Sequence, residues 1–190
     1  MRKLKLQVQM TIDGFICGTN SEMDWMQFPW TDDIIQYVRE LTEPVDTILL
    51  GRNLAQGFIP HWENVVKNPN DPEYEGGLKY TKTPKVVFTK TLDESVWDNT
   101  VLAKGDIVAE VNALKNENGG DIIVYGGSKF VSSLIQHNLI DEYHLFINPA
   151  AIGMGLPIFK EIHQYLHLNL EACQQFDCGI ALLKYTPKNK

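Results

Sequence analysis

Cysteine, long apolar runs and excess positive charge are all scarce in this sequence of 190 residues. Its three cysteines are Cys17, Cys173 and Cys178, and an odd number at wide spacing argues against a disulfide framework or a zinc finger. No apolar run approaches the roughly 20 residues that a membrane-spanning helix needs. The formal net charge of -7 argues against non-specific binding to nucleic acid or to an anionic membrane.

Common metal and nucleotide motifs are absent as well. His163 and His167 stand four apart, but the glutamate of the HExxH motif is missing between them, and we predict no metal site. The GxGxxG fingerprint is incomplete, because Gly153-Met-Gly155 continues to Ile158 where the third glycine would stand. The GxxxxGK[ST] phosphate loop is missing too. A Rossmann dehydrogenase and a P-loop ATPase are therefore disfavoured.

The composition is that of an ordinary globular protein, with 44% hydrophobic and 22% charged residues. This length suits one domain over 1–190 with a full-sized core. Residues 1–6 alternate polar and apolar side chains, which favours a strand over a signal peptide. We expect a cytoplasmic protein.

Strand-like and helix-like segments alternate along the chain. Apolar alternation and buried runs predict strands over 4–10, 45–50, 85–89, 100–103, 121–125, 141–147, 167–176 and 180–185. Helical spacing predicts helices over 31–43, 53–58, 106–116 and 128–137. This order predicts a three-layer α/β/α fold, with a mixed, mostly parallel sheet and a C-terminal antiparallel hairpin. The polar segment 61–84 is predicted to be a long loop, of a length that is usually functional or mobile.

A double glycine between a predicted strand and a predicted helix is the strongest local signal. Gly126 and Gly127 follow strand 121–125, and Ser128 begins the helix. Glycine lets the backbone approach a ligand, and the first amides of a helix point outward unpaired, which favours phosphate. The alternative is an ordinary strand-to-helix turn in which Ser128 is the N-cap.

Two further turns end predicted strands in the same way. Gly51-Arg52 follows strand 45–50, and arginine offers a fork that fits phosphate. Thr89-Lys90 closes strand 85–89 with a hydroxyl and an ammonium group. Because parallel strands end at one edge of a sheet, all three turns are predicted to lie along that edge. Together they could hold a pyrophosphate and a second phosphate, and a 2′-phosphate would mean NADPH.

The combined pattern resembles the dihydrofolate reductase superfamily. It is most similar to the branch of the reductase domain of bifunctional riboflavin-biosynthesis proteins and their stand-alone bacterial relatives. The resemblance rests on Met10-Thr-Ile-Asp13-Gly14-Phe15-Ile16, Asp24-Trp25, Leu50-Gly51-Arg52, Val87-Phe88-Thr89-Lys90, Ile123-Val-Tyr-Gly126-Gly127-Ser128, Leu139-Ile-Asp141-Glu142 and Pro149-Ala-Ala-Ile-Gly153-Met-Gly155-Leu-Pro-Ile-Phe159.

The resemblance implies a cofactor site. It implies that Arg52, Thr89 and Lys90 lie near the adenosine 2′-phosphate of NADPH, and that Gly126–Ser128 hold the pyrophosphate. The segment from Asp13 to Ile16 would run beside the nicotinamide, although Asp13-Gly14 equally suits a simple turn. The Gly153-Met-Gly155 loop would close on the site or support packing between the subunits of a homodimer.

The substrate side is less defined. True dihydrofolate reductases hold the pteridine with a carboxylate on the first helix, and Asp33, or else Asp32, falls near that place. Two capping carboxylates are the alternative reading. The aromatic-rich segment 24–30, with Asp24 and Trp25, suits a flat substrate or a core position. Lys104 is an isolated candidate for contacting a substrate phosphate.

These patterns predict an NADPH-dependent reductase that transfers hydride to a C=N or C=O bond of a small heterocycle, pterin- or pyrimidine-like. A riboflavin-biosynthesis step fits the family. Asp13 and Asp33 are the candidate catalytic carboxylates, and water could supply the proton. Two alternatives stay open. One is a nucleotide-binding module without turnover, and the other is a phosphatase or transferase that uses Gly126-Gly127 for a substrate phosphate.

Overall fold

A computed structural model describes residues 1–27 and 29–188 of the protein. The strands are β1 (Leu4–Thr11), β2 (Val45–Gly51), β3 (Lys85–Phe88), β4 (Thr100–Ala103), β5 (Asp121–Val124), β6 (Glu142–Asn148), β7 (Leu168–Gln175) and β8 (Ala181–Pro187). The helices are α1 (Asp32–Thr42), α2 (Arg52–Val65), α3 (Tyr74–Lys82), α4 (Ile107–Asn116) and α5 (Ser128–Gln136). Within the described residues, every helix is too short or too polar to cross a lipid bilayer.

The strands form one sheet in the order β4-β3-β2-β5-β1-β6-β8-β7. From β4 to β6 all neighbours are parallel, whereas β8 and β7 add an antiparallel hairpin. The predicted fold class is confirmed. Since six strands run in one direction, they all end at the same side of the sheet, which we call the carboxyl edge.

The side chains of β1 alternate between the two faces of the sheet, and each face packs against a different layer of helices. Leu4, Leu6 and Val8 pack in the core beneath α4 and α5. The opposite face of β1 carries polar side chains and lies toward α1, since Lys5 donates to the carbonyl oxygen of Leu41. Helices α1 and α2 therefore cover one face and helices α4 and α5 cover the other.

The segment 61–84 is not the predicted loop. Helix α2 continues to Val65 and α3 occupies Tyr74–Lys82. The indole of Trp62 packs on the ring of Tyr80 with centroids 4.4 Å apart, so each helix buries an aromatic side chain against the other. The polar residues of this segment are mostly on the outer surface of the pair.

Local breaker signals misled the sequence prediction here. Pro60 lies inside α2, and Gly77, which reads as a turn residue, is buried in α3. A Cβ at Gly77 would lie 3.0 Å from Cγ1 of Val66, so a glycine allows the close helix contact. Packing between the helices outweighs the unfavourable propensities of these two residues.

Candidate functional site

The three predicted phosphate-binding turns lie next to one another on the carboxyl edge. Strand β2, which ends at Gly51, pairs with β3 on one side and β5 on the other. The turns after these strands contain Gly51-Arg52, Thr89-Lys90 and Gly126-Gly127. The sheet order therefore brings together residues far apart in the chain, as the sequence predicts.

The double glycine adopts backbone conformations that other residues avoid. Gly126 has φ +150° and Gly127 has φ +81°. Gly127, not Ser128, is the N-cap of α5, so the alternative reading with a serine cap is wrong in that detail. Among the described residues, no side chain caps the first amides of α5, and its first turn has no acidic residue. These amides are available to an anion.

Helix α2 begins in the same uncapped way. Its N-cap is Gly51, and the part of the chain that the structure describes supplies neither a capping side chain nor an acidic residue in the first turn. A Cβ at Gly51 would lie 2.9 Å from Cβ of Phe130, so this glycine also brings β2 close to α5. By contrast, Asp106 caps α4 by accepting from the amides of Val108 and Ala109, both at 3.0 Å. Helices α1 and α3 also lack a capping side chain, but each has an acidic residue in its first turn. Among the described helices, α2 and α5 are therefore the two whose starts have neither, and they follow neighbouring strands.

Arg52 is the available cation at this place. Among the described residues, no hydrogen bond or ion pair engages its half-buried side chain. Lys90 is different, because its ammonium group donates to the carbonyl oxygens of Lys104 and Gly105, both at 2.7 Å. In this structure Lys90 ties the turn after β3 to the start of the α4 region.

Thr89 and Lys104 also have partners. The buried hydroxyl of Thr89 accepts from the amides of Thr91 and Leu92, both at 3.2 Å, and so shapes its own turn. Lys104 Nζ lies 3.2 Å from Oδ1 of Asp93 at the surface. A role for Lys104 in binding a substrate phosphate would require this exposed pair to open.

Asp13 joins the segments that follow β1 and β6. Its Oδ2 accepts from the amide of Gly153 at 2.7 Å and from that of Ile152 at 3.1 Å. The hydroxyl of Thr11, together with these amides, holds the pKa of the Asp13 carboxyl below its ordinary value. Asp13 is thus an ionised acceptor that positions the loop, and its predicted catalytic role stays a prediction.

A second connection joins the same two segments. The amide of Ile16 donates to the carbonyl oxygen of Leu156 at 3.1 Å, and the amide of Leu156 donates to that of Cys17 at 2.9 Å. Gly155 packs so closely that a Cβ there would lie 2.9 Å from Cβ of Phe15. The buried Ile16 is therefore held firmly at the carboxyl edge.

Asp33 connects the start of α1 to the turn of the terminal hairpin. Its Oδ1 accepts from the hydroxyl of Thr31 at 2.5 Å and from the amide of Ile34 at 2.9 Å, while Oδ2 accepts from the amide of Asp177 at 2.9 Å. The Thr31 hydroxyl and the Asp177 amide hold the pKa of the Asp33 carboxyl below its ordinary value. Asp32 is exposed.

The predicted substrate segment 24–30 lies between β1 and α1. Asp24 is exposed and makes no hydrogen bond with the described residues. Trp25 is half-buried, and its indole N–H is shielded from solvent without an acceptor among those residues. Trp30 is 39% exposed, so this aromatic does not belong to the core. Phe28 lies outside the described residues.

A buried polar chain under α1 was not predicted. The phenol of Tyr37 lies 2.7 Å from Nδ1 of His144, and Nε2 of His144 lies 3.2 Å from Oε2 of Glu142. The hydrogen bond from His144, with that from Lys3, holds the pKa of Glu142 far below its ordinary value. Burial lowers the pKa of His144, although Glu142 opposes this, and burial raises the pKa of Tyr37 to about 12. The alternation of Glu142 and His144 with Tyr143 and Leu145 was the available sequence signal.

The two histidines considered as metal ligands do not share a helix face. His163 and His167 lie in an exposed irregular segment before β7. In the part of the chain that the structure describes, no three His, Cys, Asp or Glu side chains group as metal ligands would.

Comparison with known proteins agrees with this geometry. The model of the RibD C-terminal domain matches residues 2–182. Over 186 residues the chain is 30% identical to the uncharacterized protein YyaP of Bacillus subtilis (strain 168), covering 97% of this chain and 94% of that protein. A putative riboflavin biosynthesis protein from Shewanella sp. PV-4 superposes with a TM-score of 0.72 at 22% identity, covering 100% of both chains. Dihydrofolate reductase from Enterococcus faecalis, complexed with NADP(H), gives a TM-score of 0.63 at 16% identity, over 98% of this chain and 97% of that one. With its dihydrofolate-reductase-like fold, this chain belongs to the family of the RibD C-terminal domain.

Proposed function

We propose that the protein is an NADPH-dependent reductase that transfers hydride to a C=N or C=O bond of a small heterocycle. The proposal rests on the starts of α2 and α5, which have neither a capping side chain nor an acidic residue in the first turn. These two helices follow β2 and β5, which are neighbours in the sheet. Two positive helix ends side by side suit a ligand with several phosphates. The family of the RibD C-terminal domain, and a fold neighbour complexed with NADP(H), support a nicotinamide cofactor.

The phosphates are assigned to two groups of residues. The amides at Gly126, Gly127 and Ser128 hold the pyrophosphate, because both glycines leave the start of α5 open to a ligand. Arg52 holds the 2′-phosphate, since its guanidinium is free to form a charge-assisted pair. Thr89 and Lys90 support this place by fixing the turn after β3.

When bound, the nicotinamide supplies the hydride, and the protein's part is to orient the partners and exclude water. The segment from Asp13 to Ile16 lines the place for the ring. Asp13 keeps it there through the amides of Ile152 and Gly153. Trp25, with its free indole N–H, and Asp24 contact the substrate. Asp33 positions α1 and the hairpin turn, and water supplies the proton.

The substitution Arg52→Ala tests this assignment. Loss of a charged hydrogen bond of about 1.5–3 kcal/mol is expected to weaken NADPH binding roughly tenfold or more, with NADH changed less than about twofold. Cofactor affinity is measured by titrating the fluorescence of each nucleotide. Arg39→Ala is the matched control, because Arg39 is exposed in the last turn of α1, away from the carboxyl edge.

Equal losses for NADPH and NADH would refute the 2′-phosphate assignment. Absence of NADPH binding to the wild-type protein would refute the reductase and favour a phosphate-handling enzyme. Binding without oxidation of NADPH by any pterin or pyrimidine would favour a nucleotide-binding module.

A further inference from the structure

Two glutamine side chains lie on the face of β1 toward α1, and each has an unpaired atom. Gln7 is 6% exposed and Gln9 is half-buried. Oε1 of Gln7 and Nε2 of Gln9 are shielded from solvent and make no hydrogen bond with the described residues. Leaving a buried polar atom unpaired is unfavourable, because the atom loses its hydrogen bonds to water and gains none in the protein. Two such atoms, one acceptor and one donor, on the same strand face therefore point to a missing partner.

Asn148 determines which end of Gln9 is free. Its Nδ2 donates to Oε1 of Gln9 at 2.8 Å and to the carbonyl oxygen of Phe146 at 3.0 Å. Because Asn148 is 2% exposed, solvent cannot readily replace these bonds. The Gln9 oxygen is therefore occupied, and the unpaired atom is the nitrogen donor.

The position of the two amides matches the place of the substrate. β1 ends at Thr11, directly before the segment assigned to the nicotinamide, and it pairs with β5, which leads to Gly126. At about 3.3 Å per residue, Cα of Gln9 is roughly 7 Å below Cα of Thr11, and Cα of Gln7 is about 13 Å below it. A ring that receives hydride at this edge can extend down along β1 to both amides.

We propose that Gln9 and Gln7 recognise one edge of the substrate ring by hydrogen bonding, an inference that rests on the proposed reductase function. Nε2 of Gln9 donates to a ring carbonyl, and Oε1 of Gln7 accepts from the neighbouring ring N–H. The substrate class is a neutral oxo-heterocycle with a lactam edge. Asn148 is a positioning residue that holds Gln9 with its donor toward the ring. Ligand binding must uncover both atoms, which are covered in the free chain.

Donor and acceptor complementarity gives this arrangement its selectivity. A ring with an amino group in place of the carbonyl, and an unprotonated nitrogen in place of the N–H, would face donor with donor and acceptor with acceptor. Sites that hydrogen-bond a substrate group discriminate strongly against analogues that lack it. Pterin and 2,4-diaminopteridine differ in this way and serve as probes.

The experiment compares the affinities of these two probes in the presence of saturating NADPH, by titration of probe fluorescence. Wild-type protein is expected to bind pterin at least about tenfold more tightly than 2,4-diaminopteridine. Gln9→Glu keeps an oxygen toward Asn148 and replaces the donor with an acceptor, so each probe then has one matched and one mismatched contact, and the preference for pterin is expected to be largely lost. Gln9→Met keeps the volume and removes the Gln9 amide, so the preference is expected to fall to the part that Gln7 contributes. Gln36→Glu, exposed on α1, is the control for added charge.

The NADPH affinity of each variant separates the inference from the function on which it rests. If Gln9→Glu and Gln9→Met bind NADPH normally but keep the wild-type preference, the inference is overturned and the reductase function stands. Equal binding of both probes, or of neither, by NADPH-loaded wild-type protein also overturns it. If the wild-type protein does not bind NADPH, the proposed function itself fails.

Discussion

Substitution by alanine should change the stability of the protein in opposite directions at Gly127 and at Gly57. Gly127 has φ +81°, a conformation that costs other residues roughly 1–2 kcal/mol. Gly57 lies inside α2, where no described neighbour comes within 4 Å of the place that a methyl group would take, and alanine there gains roughly 0.5–1 kcal/mol. We therefore expect Gly127→Ala to lower the free energy of unfolding and Gly57→Ala to raise it, as measured by urea denaturation.

The same two variants should also differ in their affinity for NADPH. A methyl group at Gly127 lies beside the first amides of α5, so NADPH affinity should fall severalfold or more, whereas Gly57→Ala should leave it unchanged. Unaltered NADPH affinity in folded Gly127→Ala protein would contradict the assignment of the pyrophosphate to this turn.

Some residues of the candidate site could be predicted from the sequence and others could not. A positive φ selects glycine, so Gly126 and Gly127 could be identified from residue type alone. The unpaired atoms of Gln7 and Gln9 could not, because alternating polar residues on a strand usually face water. They become candidates only in the structure, where α1 lies toward that face and both atoms are shielded from solvent.

At the scale of elements, Asp13 links the segments after β1 and β6. Asp13→Ala removes its hydrogen bonds to the amides of Ile152 and Gly153 and should loosen the lining of the proposed nicotinamide site. We expect kcat to fall at least about tenfold, because misplacement of the reacting groups is costly, while NADPH affinity changes less than about threefold. Steady-state kinetics and NADPH titration measure the two effects.

A substitution in a distant element is the control for Asp13→Ala. Glu75→Ala, which removes an exposed carboxylate from α3, should alter neither quantity. A tenfold loss of NADPH affinity in Asp13→Ala would show instead that Asp13 contributes mainly to cofactor binding.

The chain of Tyr37, His144 and Glu142 between α1 and β6 should make stability depend on pH. The pKa of His144 is lowered in the folded state, mainly by burial, so the unfolded chain takes up a proton more readily than the folded protein. The stabilisation is present above the unfolded value of 6.5 and is lost as pH falls below it. Denaturation midpoints between pH 7.5 and 5.5 should decline, and less so in His144→Gln.

His167→Gln is the control for the loss of a histidine, because His167 is exposed. It should keep the wild-type decline. A decline of equal size in His144→Gln would assign the pH dependence to other groups. The lowered pKa of Glu142 adds a separate loss of stability at more acidic pH, below its ordinary value of 4.5.

At the scale of the whole molecule, β7 is an edge strand that no other described element covers. After Leu168 every residue of this edge strand is exposed, including Leu170 at 57%. Glu171 is its one charged residue, and its carboxylate accepts from the hydroxyl of Thr186 at 2.6 Å. A nearly neutral strand with such an exposed face suits an identical surface in a symmetric pair. We expect a homodimer that packs through β7.

Light scattering after size exclusion should give twice the chain mass of 21.6 kDa. Leu170→Lys should shift the mass toward the monomer by placing like charges on both copies of the surface, whereas Glu94→Lys, on an exposed turn before β4, should not. A monomeric wild-type protein at tens of micromolar would contradict the prediction.

The fold class was predictable because strands and helices alternate, and alternation selects a parallel sheet with helices on both faces. The strand order was not, since it depends on which distant segments pair. β1 adjoins β5 and β6, whose residues come more than 110 positions later, and no local pattern encodes that choice.

The central place of β1 also determines when the fold can form during synthesis. Its hydrogen-bonding neighbours occupy residues 121–124 and 142–148, so β1 leaves the ribosome long before either exists. Until then only β2, β3 and β4 can pair, and α5, which with α4 covers the apolar side of β1, has not been synthesised. Such delayed long-range pairing slows folding and exposes aggregation-prone strands. We therefore expect the nascent chain to be most prone to aggregation before residues 121–136, which form β5 and α5, have emerged.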